Sequence, residues 1–192
     1  MAIQQWFSTP VYYDYASNYD AVQEEISSAY AKMTLEKHPT WGGQNHSITD
    51  HMFNTNILDE FDLQNFKEEL VRQVKQYTGS FSDTDYEVSV EDCWLTQTAP
   101  KEHTVVHNHG NTHISGVYYF QTNGKDGSIY FLNSNTSLAS TYFIAPDDYV
   151  EYPPTKGLFI LFPGWLYHGV RSNDTDENRI SISFNVNITK KP

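Results

Sequence analysis

Several features that would point to particular protein classes are scarce or missing in this chain of 192 residues. Cys93 is the single cysteine, so a disulfide within the chain is excluded. Lysines and arginines number 12 against 24 aspartates and glutamates, and the formal net charge of −12 disfavours nucleic-acid binding through a basic face. No run of about 18 apolar residues occurs, so we expect no membrane-spanning helix. The opening MAIQQWFSTP lacks the basic and apolar regions of a signal peptide, which predicts a soluble intracellular protein.

Aromatic residues, in contrast, are abundant: they make up 15% of the chain, and this composition favours packed strands. From about Tyr86 onward, short β-branched and aromatic runs follow one another, separated by turn sequences such as NGKDG and PGW. The runs are YEVSVEDCWLTQ, HTVVHNH, HISGVYYF, SIYFLN, TYFIA, YVEYP, GLFILFP, YHGV and RISISFNVNI. They predict a mainly β protein whose C-terminal part is an antiparallel sandwich or barrel of the jelly-roll type.

Two segments before these runs have the spacing of helices that bury one face. Apolar residues recur every three to four positions from Tyr19 to Met33, and again from Leu63 to Tyr77. Asp62 is the expected N-cap of the second helix. We therefore predict a single domain, with residues 1–85 as a helical N-terminal layer and residues 86–192 as the β core.

Histidines are crowded beside one predicted strand, in VVHNHGNTHISGVYYF. His107 and His109 are two residues apart, and on an extended strand such residues point to the same face, so both imidazoles can reach one ion. The best third ligand is His168, which follows the apolar strand Leu158 to Phe162 and a Pro-Gly turn. The pattern predicts a metal site. The simpler interpretations are that His168 is a surface or capped core histidine and that His113 is solvated.

Arg179 opens the last predicted strand, where apolar residues alternate with polar ones. A buried guanidinium without a partner is heavily penalised, so an anion beside it would explain its place. The guanidinium fork binds carboxylates at two points, and Ser181 faces the same side and can donate to the same anion. An internal pair with one of the 24 acidic residues is the alternative.

Taken together, these motifs resemble a known family. The order H-x-H, SGVYYF, GLFILFPGWLYH and RISISFN, with WFSTPVY near the start, is similar to the small bacterial and phage branch of the 2-oxoglutarate/Fe(II)-dependent oxygenases. The resemblance implies a double-stranded β-helix, which is a cupin-like jelly roll, with Fe(II) as cofactor and 2-oxoglutarate as co-substrate. It also implies a dioxygenase, expected to be a hydroxylase, that couples decarboxylation of 2-oxoglutarate to succinate with oxidation of an unknown small molecule or peptide by dioxygen. The expected location is the cytoplasm, or the host cytoplasm if a phage encodes the chain.

The resemblance also implies roles for individual residues. His107, His109 and His168 would be the metal ligands, and Arg179 with Ser181 would hold the far carboxylate of 2-oxoglutarate. Tyr119 falls where related hydroxylases place a tyrosine hydroxyl against that carboxylate.

His109 departs from the pattern of most of the superfamily, in which a carboxylate stands two residues after the first histidine. The branch itself carries H-x-H, but a site with an imidazole at this position has one negative charge fewer than a site with a carboxylate. Asn111 or water could take the third position instead.

Two other functions fit parts of the sequence. An all-histidine cupin-type metal enzyme would use His107, His109 and His168 without 2-oxoglutarate, and then Arg179 would have no ligand to bind. A jelly-roll binding protein without catalytic activity would need neither metal nor co-substrate.

Overall fold

The computed structural model of the protein describes residues 8–37, 47–49, 56–134 and 148–191, which form eleven strands and three helices. The strands are β1 (Tyr12–Tyr15), β2 (Leu35–Lys37), β3 (Ser47–Thr49), β4 (Tyr86–Thr98), β5 (Thr104–His107), β6 (Ile114–Gln121), β7 (Ile129–Leu132), β8 (Tyr149–Tyr152), β9 (Leu158–Pro163), β10 (His168–Val170) and β11 (Arg179–Lys190). The helices are α1 (Tyr19–Tyr30), α2 (Ile57–Glu60) and α3 (Gln64–Gly79). No helix in these ranges is long and apolar enough to cross a membrane.

The strands form two antiparallel sheets that confirm the predicted jelly roll. The larger sheet has the order β1-β9-β6-β11-β4-β3-β2, and the smaller has the order β5-β10-β7-β8. Among the described strands from β4 to β11, all successive pairs but one lie in different sheets, as in a double-stranded β-helix. This topology places β5 and β10, distant in sequence, side by side.

Side chains of the larger sheet alternate between two apolar layers. On β9, Phe159 and Leu161 pack with the helices, whereas Ile160 and Phe162 pack between the two sheets. Phe66 of α3 stacks on Phe159 with ring centroids 5.7 Å apart. One layer thus fixes the helices to the outer face, and the other fills part of the space between the sheets.

The inner face of the larger sheet also carries polar side chains in rows across its central strands. On β11, Arg179 lies opposite Thr98 of β4, and Ser181 lies between Thr96 of β4 and Tyr119 of β6. Further along, Ser183 lies between Trp94 and Val117, and Asn185 between Asp92 and Ser115. Because register partners in a sheet share a face, one strand carries four polar positions into the space between the sheets.

Both predicted helices are confirmed as α1 and α3, but the predicted cap of α3 is wrong. Asp62 lies outside the helix with a left-handed φ of 53°, and Leu63 is the N-cap without a side-chain hydrogen bond. The carboxylate of Glu25 in α1 takes the capping role: it accepts hydrogen bonds from the backbone N–H groups of Asn65 and Phe66, at 2.9 and 2.8 Å. The cap therefore comes from a neighbouring helix, and local sequence could not indicate it.

Three short strands before residue 85 were not predicted. β1 pairs with β9, while β2 and β3 extend the larger sheet beyond β4. The first part of the chain therefore completes the sheet as well as covering it. Of the predicted strands, TYFIA at 141–145 lies outside the described residues.

Candidate metal centre and anion site

The three predicted histidines come together at one end of the two sheets. His107 is the last residue of β5 and His168 the first of β10, and the two are register partners. His109 follows β5 and completes the group, so that one ring nitrogen of each residue lies within 4.8 Å of the others. The side chains predicted to converge do converge.

Hydrogen bonds to the backbone orient two of these rings. The Nδ1 atom of His107 lies 2.9 Å from the carbonyl oxygen of Val105, and Nδ1 of His168 lies 2.9 Å from that of Leu166. A carbonyl oxygen can only accept, so Nδ1 carries the proton in both rings and the Nε2 lone pair is left for a metal ion.

Burial keeps these imidazoles neutral, as metal ligation requires. Burial, followed by the charge of neighbouring His107, lowers the pKa of His168 to about 3. Burial also lowers the pKa of His107 below its ordinary value. Both groups are therefore unprotonated at neutral pH.

His109 is held by its backbone in a turn. Its N–H donates to the carbonyl of Gly164 at 2.7 Å, and its carbonyl accepts from the N–H of Thr112 at 2.9 Å. Its ring lies beside Trp94, with centroids 6.1 Å apart, and is nearly parallel to that of His168. Asn111, the alternative third ligand, lines a separate surface hollow with His113.

The donor set fits a first-row transition metal. Imidazole nitrogen suits iron, zinc, copper and nickel, and three ligands on one side leave the other coordination positions open. Among the described residues, no carboxylate belongs to the group of close ligand atoms. The site therefore supplies only nitrogen donors.

Arg179 occupies the same cavity and is buried, with 2% of its surface exposed. Its guanidinium donates to the carbonyls of Asp126 and Gly127 at 2.7 and 2.8 Å and to Oγ1 of Thr98 at 3.0 Å. Its Nε has no hydrogen-bond partner, and no carboxylate in the described part of the chain lies within 4.0 Å of it. The described residues therefore form no ion pair between Arg179 and an acidic side chain. A buried guanidinium that lines the cavity fits an external anion instead.

Tyr119 and Ser181 lie beside Arg179 on the inner face of the sheet. Burial raises the pKa of Tyr119 to about 12, although the charge of Arg179 partly opposes the rise, so the phenol keeps its proton. A guanidinium, a phenol and a hydroxyl therefore face one cavity as hydrogen-bond donors. The predicted residues are together.

The residues that support Arg179 were not recognised from the sequence. Asp126 and Gly127 belong to NGKDG, whose only visible signal was that of a turn. Gly127 has a φ of 103°, and a Cβ there would lie 2.2 Å from the carbonyl oxygen of Arg171. The turn can present its carbonyls to the guanidinium because this position lacks a side chain.

Comparison with known proteins finds a similar family. Residues 92–185 match a family model described as "Putative 2OG-Fe(II) oxygenase". No curated protein matches the chain.

Solved structures share the fold. An oxidoreductase of the 2OG-Fe(II) oxygenase family from Burkholderia pseudomallei has a TM-score of 0.66 at 11% identity, over 92% of this chain and 84% of that one. The non-heme alpha-ketoglutarate-dependent epimerase SnoN of nogalamycin biosynthesis has a TM-score of 0.67 at 13% identity, over 96% and 81%. HygX from Streptomyces hygroscopicus, solved with nickel, 2-oxoglutarate and hygromycin B, has a TM-score of 0.64 at 10% identity, over 93% and 83%.

At these identities the solved structures establish the fold, while the family model covers the positions of Arg179 and all three histidines. Fe(II) and 2-oxoglutarate are the cofactor and co-substrate of that family. Residues 92–185 of the chain, just under half of its length, are similar to the 2-oxoglutarate- and Fe(II)-dependent oxygenases.

Proposed function

We propose that the protein is a hydroxylase in which His107, His109 and His168 hold Fe(II) and Arg179 anchors 2-oxoglutarate. The overall reaction consumes 2-oxoglutarate, dioxygen and a C–H bond of the substrate, and gives succinate, CO2 and the hydroxylated product. The observation that carries the proposal is the shared cavity, which joins three imidazoles to a buried guanidinium without a carboxylate partner in the described residues.

The protein's part in this chemistry is binding, orientation and exclusion of water. Bound Fe(II) supplies the redox chemistry through which dioxygen and 2-oxoglutarate react. The Nδ1 hydrogen bonds of His107 and His168 hold their rings with Nε2 toward the ion. Apolar side chains of Val117, Ile129 and Phe162 line the cavity and limit the entry of water.

The donors of the anion site match the far carboxylate of 2-oxoglutarate. Nε of Arg179 lacks a partner, and Tyr119 and Ser181 add neutral hydroxyl donors beside it. A charge-assisted bond to a carboxylate would satisfy the guanidinium and offset its burial. The oxidised substrate is a small molecule or a peptide.

We also propose that the whole chain is one oxygenase domain. Residues 86–192 supply the strands of the double-stranded β-helix, and residues 1–85 support them through α1, α3 and the pairing of β1 with β9.

The test is anaerobic addition of Fe(II) and then 2-oxoglutarate, with the visible absorption band of the Fe(II)–2-oxoglutarate chelate as the readout. We expect the band in the wild type and its loss in His168→Ala and Arg179→Ala. Arg171→Ala is the matched control, because Arg171 lies at the surface over the rings of Tyr130 and Tyr149.

A full band in both site variants would contradict the assigned roles. Metal binding that ignores 2-oxoglutarate would favour the cupin-type enzyme, and no metal binding would favour a protein without catalytic activity.

A further inference from the structure

His109 is the one metal-ligand candidate that no strand holds in place. His107 and His168 lie in paired strands, whereas His109 depends on the turn from residue 109 to 112. The imidazole at this position replaces the usual carboxylate, so its placement decides whether the third donor reaches the ion.

The turn is connected to the larger sheet through side chains. Oγ1 of Thr112 lies 3.1 Å from the carbonyl oxygen of His109 and 3.2 Å from Oγ of Ser115. Ser115 donates to Oδ1 of Asn185 at 2.9 Å, and Nδ2 of Asn185 donates to Oδ2 of Asp92 at 3.1 Å. These contacts make an unbroken polar chain from β4, across β11 and β6, to the turn that carries His109.

The polar chain is buried. Ser115 and Asn185 are 1% and 6% exposed and point between the sheets, whereas their strand neighbours Ile114, Phe184 and Val186 point to the apolar layer under the helices. Burying polar groups is unfavourable unless all are hydrogen-bonded, and a satisfied network then fixes one geometry. Since Ser115 gives its proton to Asn185, the single hydroxyl hydrogen of Thr112 is shared between the carbonyl oxygen of His109 and Oγ of Ser115.

Close packing leaves the turn little freedom to move. A Cβ at Gly164 would lie 2.3 Å from the carbonyl oxygen of Thr112 and 2.9 Å from that of His109. The turn is thus in direct contact with the loop after β9 on one side and joined to the polar chain on the other.

We infer that Thr112, Ser115 and Asn185 are positioning residues for His109, which set the third nitrogen donor at the metal through the 109–112 turn. The inference rests on the proposed metal site. None of the three touches the ion: they act through the backbone of the turn.

Co(II) alone is a suitable probe, because its visible spectrum reports the number and geometry of its ligands. The full-length variants Thr112→Val and Ser115→Ala each remove one hydroxyl. Thr112→Ser keeps the hydroxyl at residue 112 and removes only a methyl group. Thr49→Val is the matched control, since the Thr49 hydroxyl is buried and accepts a hydrogen bond from the N–H of Leu95, outside this chain.

We expect Thr112→Val and Ser115→Ala each to weaken Co(II) binding by about 10-fold, as loss of groups that orient a metal ligand commonly does. Their Co(II) spectra should shift toward that of His109→Ala. Thr112→Ser should bind as the wild type does, and Thr49→Val should lower the melting temperature without changing the spectrum.

The inference is overturned if Thr112→Val and Ser115→Ala bind Co(II) with the affinity and spectrum of the wild type. It is also overturned if Thr49→Val weakens binding equally, because the loss would then reflect stability. A wild type that binds no Co(II), or one whose spectrum His107→Ala and His168→Ala leave unchanged, would overturn the proposed function itself.

Discussion

Single residues show how burial selects chemistry in this protein. Arg179 and Cys93 are both buried, yet one is aimed into a cavity and the other into the apolar layer under the helices. Burial lowers the pKa of Arg179 from its ordinary value, while the charges of Tyr119 and Asp126 oppose that change. A group that stays charged at such a depth is expected to bind a counter-charge.

Cys93 should be inert in the folded protein. Its side chain is 0% exposed, and burial raises the pKa of the thiol well above its ordinary value, so almost no thiolate is present at neutral pH. We expect no reaction with Ellman's reagent under native conditions and one thiol per chain in denaturant. Rapid native labelling would contradict the packing described for β4.

The residues that line the site were more predictable from the sequence than the residues that hold them in place. His107, His109, His168 and Arg179 each break an apolar pattern, and such breaks are visible in sequence. The contacts of Asn185 with Ser115 and Asp92 depend on the register of three strands, which sequence periodicity does not fix.

At the scale of elements, α3 depends on groups supplied by other segments. Its N-terminal N–H groups bond to Glu25 of α1, and its buried Glu69 accepts from Ser17, Arg72 and Gln73. Periodicity located both helices, because apolar spacing is a local property. The capping contact of Glu25 and the contact of Glu69 with Ser17 could not be predicted, since they join residues 40 and 52 positions apart.

Glu69 should make stability depend on acid pH. Burial alone would raise its pKa, but hydrogen bonds from Arg72, Ser17 and Gln73 outweigh burial and lower the pKa to about 2, against 4.5 in the unfolded chain. The stabilisation is therefore complete above the unfolded pKa and is lost as pH falls toward 2.

Urea unfolding of the wild type and Glu69→Gln between pH 7 and pH 3 checks this dependence. We expect the wild type to be more stable by about 3 kcal/mol at pH 7, with the difference shrinking as pH falls below about 4.5. A difference that stays constant with pH would show that the charge of Glu69 is not what stabilises the fold.

The loop between β9 and β10 should tolerate no side chain at Gly164. A Cβ there would lie 2.3 and 2.5 Å from the carbonyl oxygen and Oγ1 of Thr112, so Gly164→Ala must displace the 109–112 turn that carries His109. We expect about 10-fold weaker Co(II) binding with little loss of helix and sheet content by circular dichroism.

Gly79→Ala is the control for that change, because a Cβ at the end of α3 would meet nothing within 4 Å. Equal metal affinity in Gly164→Ala and Gly79→Ala would mean that the turn adapts.

At the scale of the whole molecule, the proposed ligands would join the two sheets. His107 and His168 belong to the smaller sheet, whereas Arg179, Ser181 and Tyr119 belong to the larger one. A metal ion with 2-oxoglutarate chelated to it would contact both sheets. We therefore expect binding to stabilise the packing of the two sheets against each other, and with it the folded state.

Thermal unfolding measures that stabilisation. At about 100 times their dissociation constants, ligands that bind only the folded state add about 2.7 kcal/mol. For a chain of this length we expect Co(II), and then 2-oxoglutarate, each to raise the melting temperature by about 5 to 10 °C. Arg179→Ala should keep the increase due to Co(II) and lose the part due to 2-oxoglutarate. Retention of both parts would place the co-substrate elsewhere.

β11 combines duties that are separate in many proteins. Its odd-numbered side chains from 179 to 185 face the space between the sheets, where the cavity lies. Ile180, Ile182 and Phe184 pack in the layer beneath the helices. Inserting or deleting one residue between 179 and 184 would exchange the two sets, turning the guanidinium toward the hydrophobic layer and an isoleucine toward the co-substrate. Unless a β-bulge absorbs it, a single-residue change in the length of this strand therefore misplaces one face, whereas a change of two residues keeps both faces as they are.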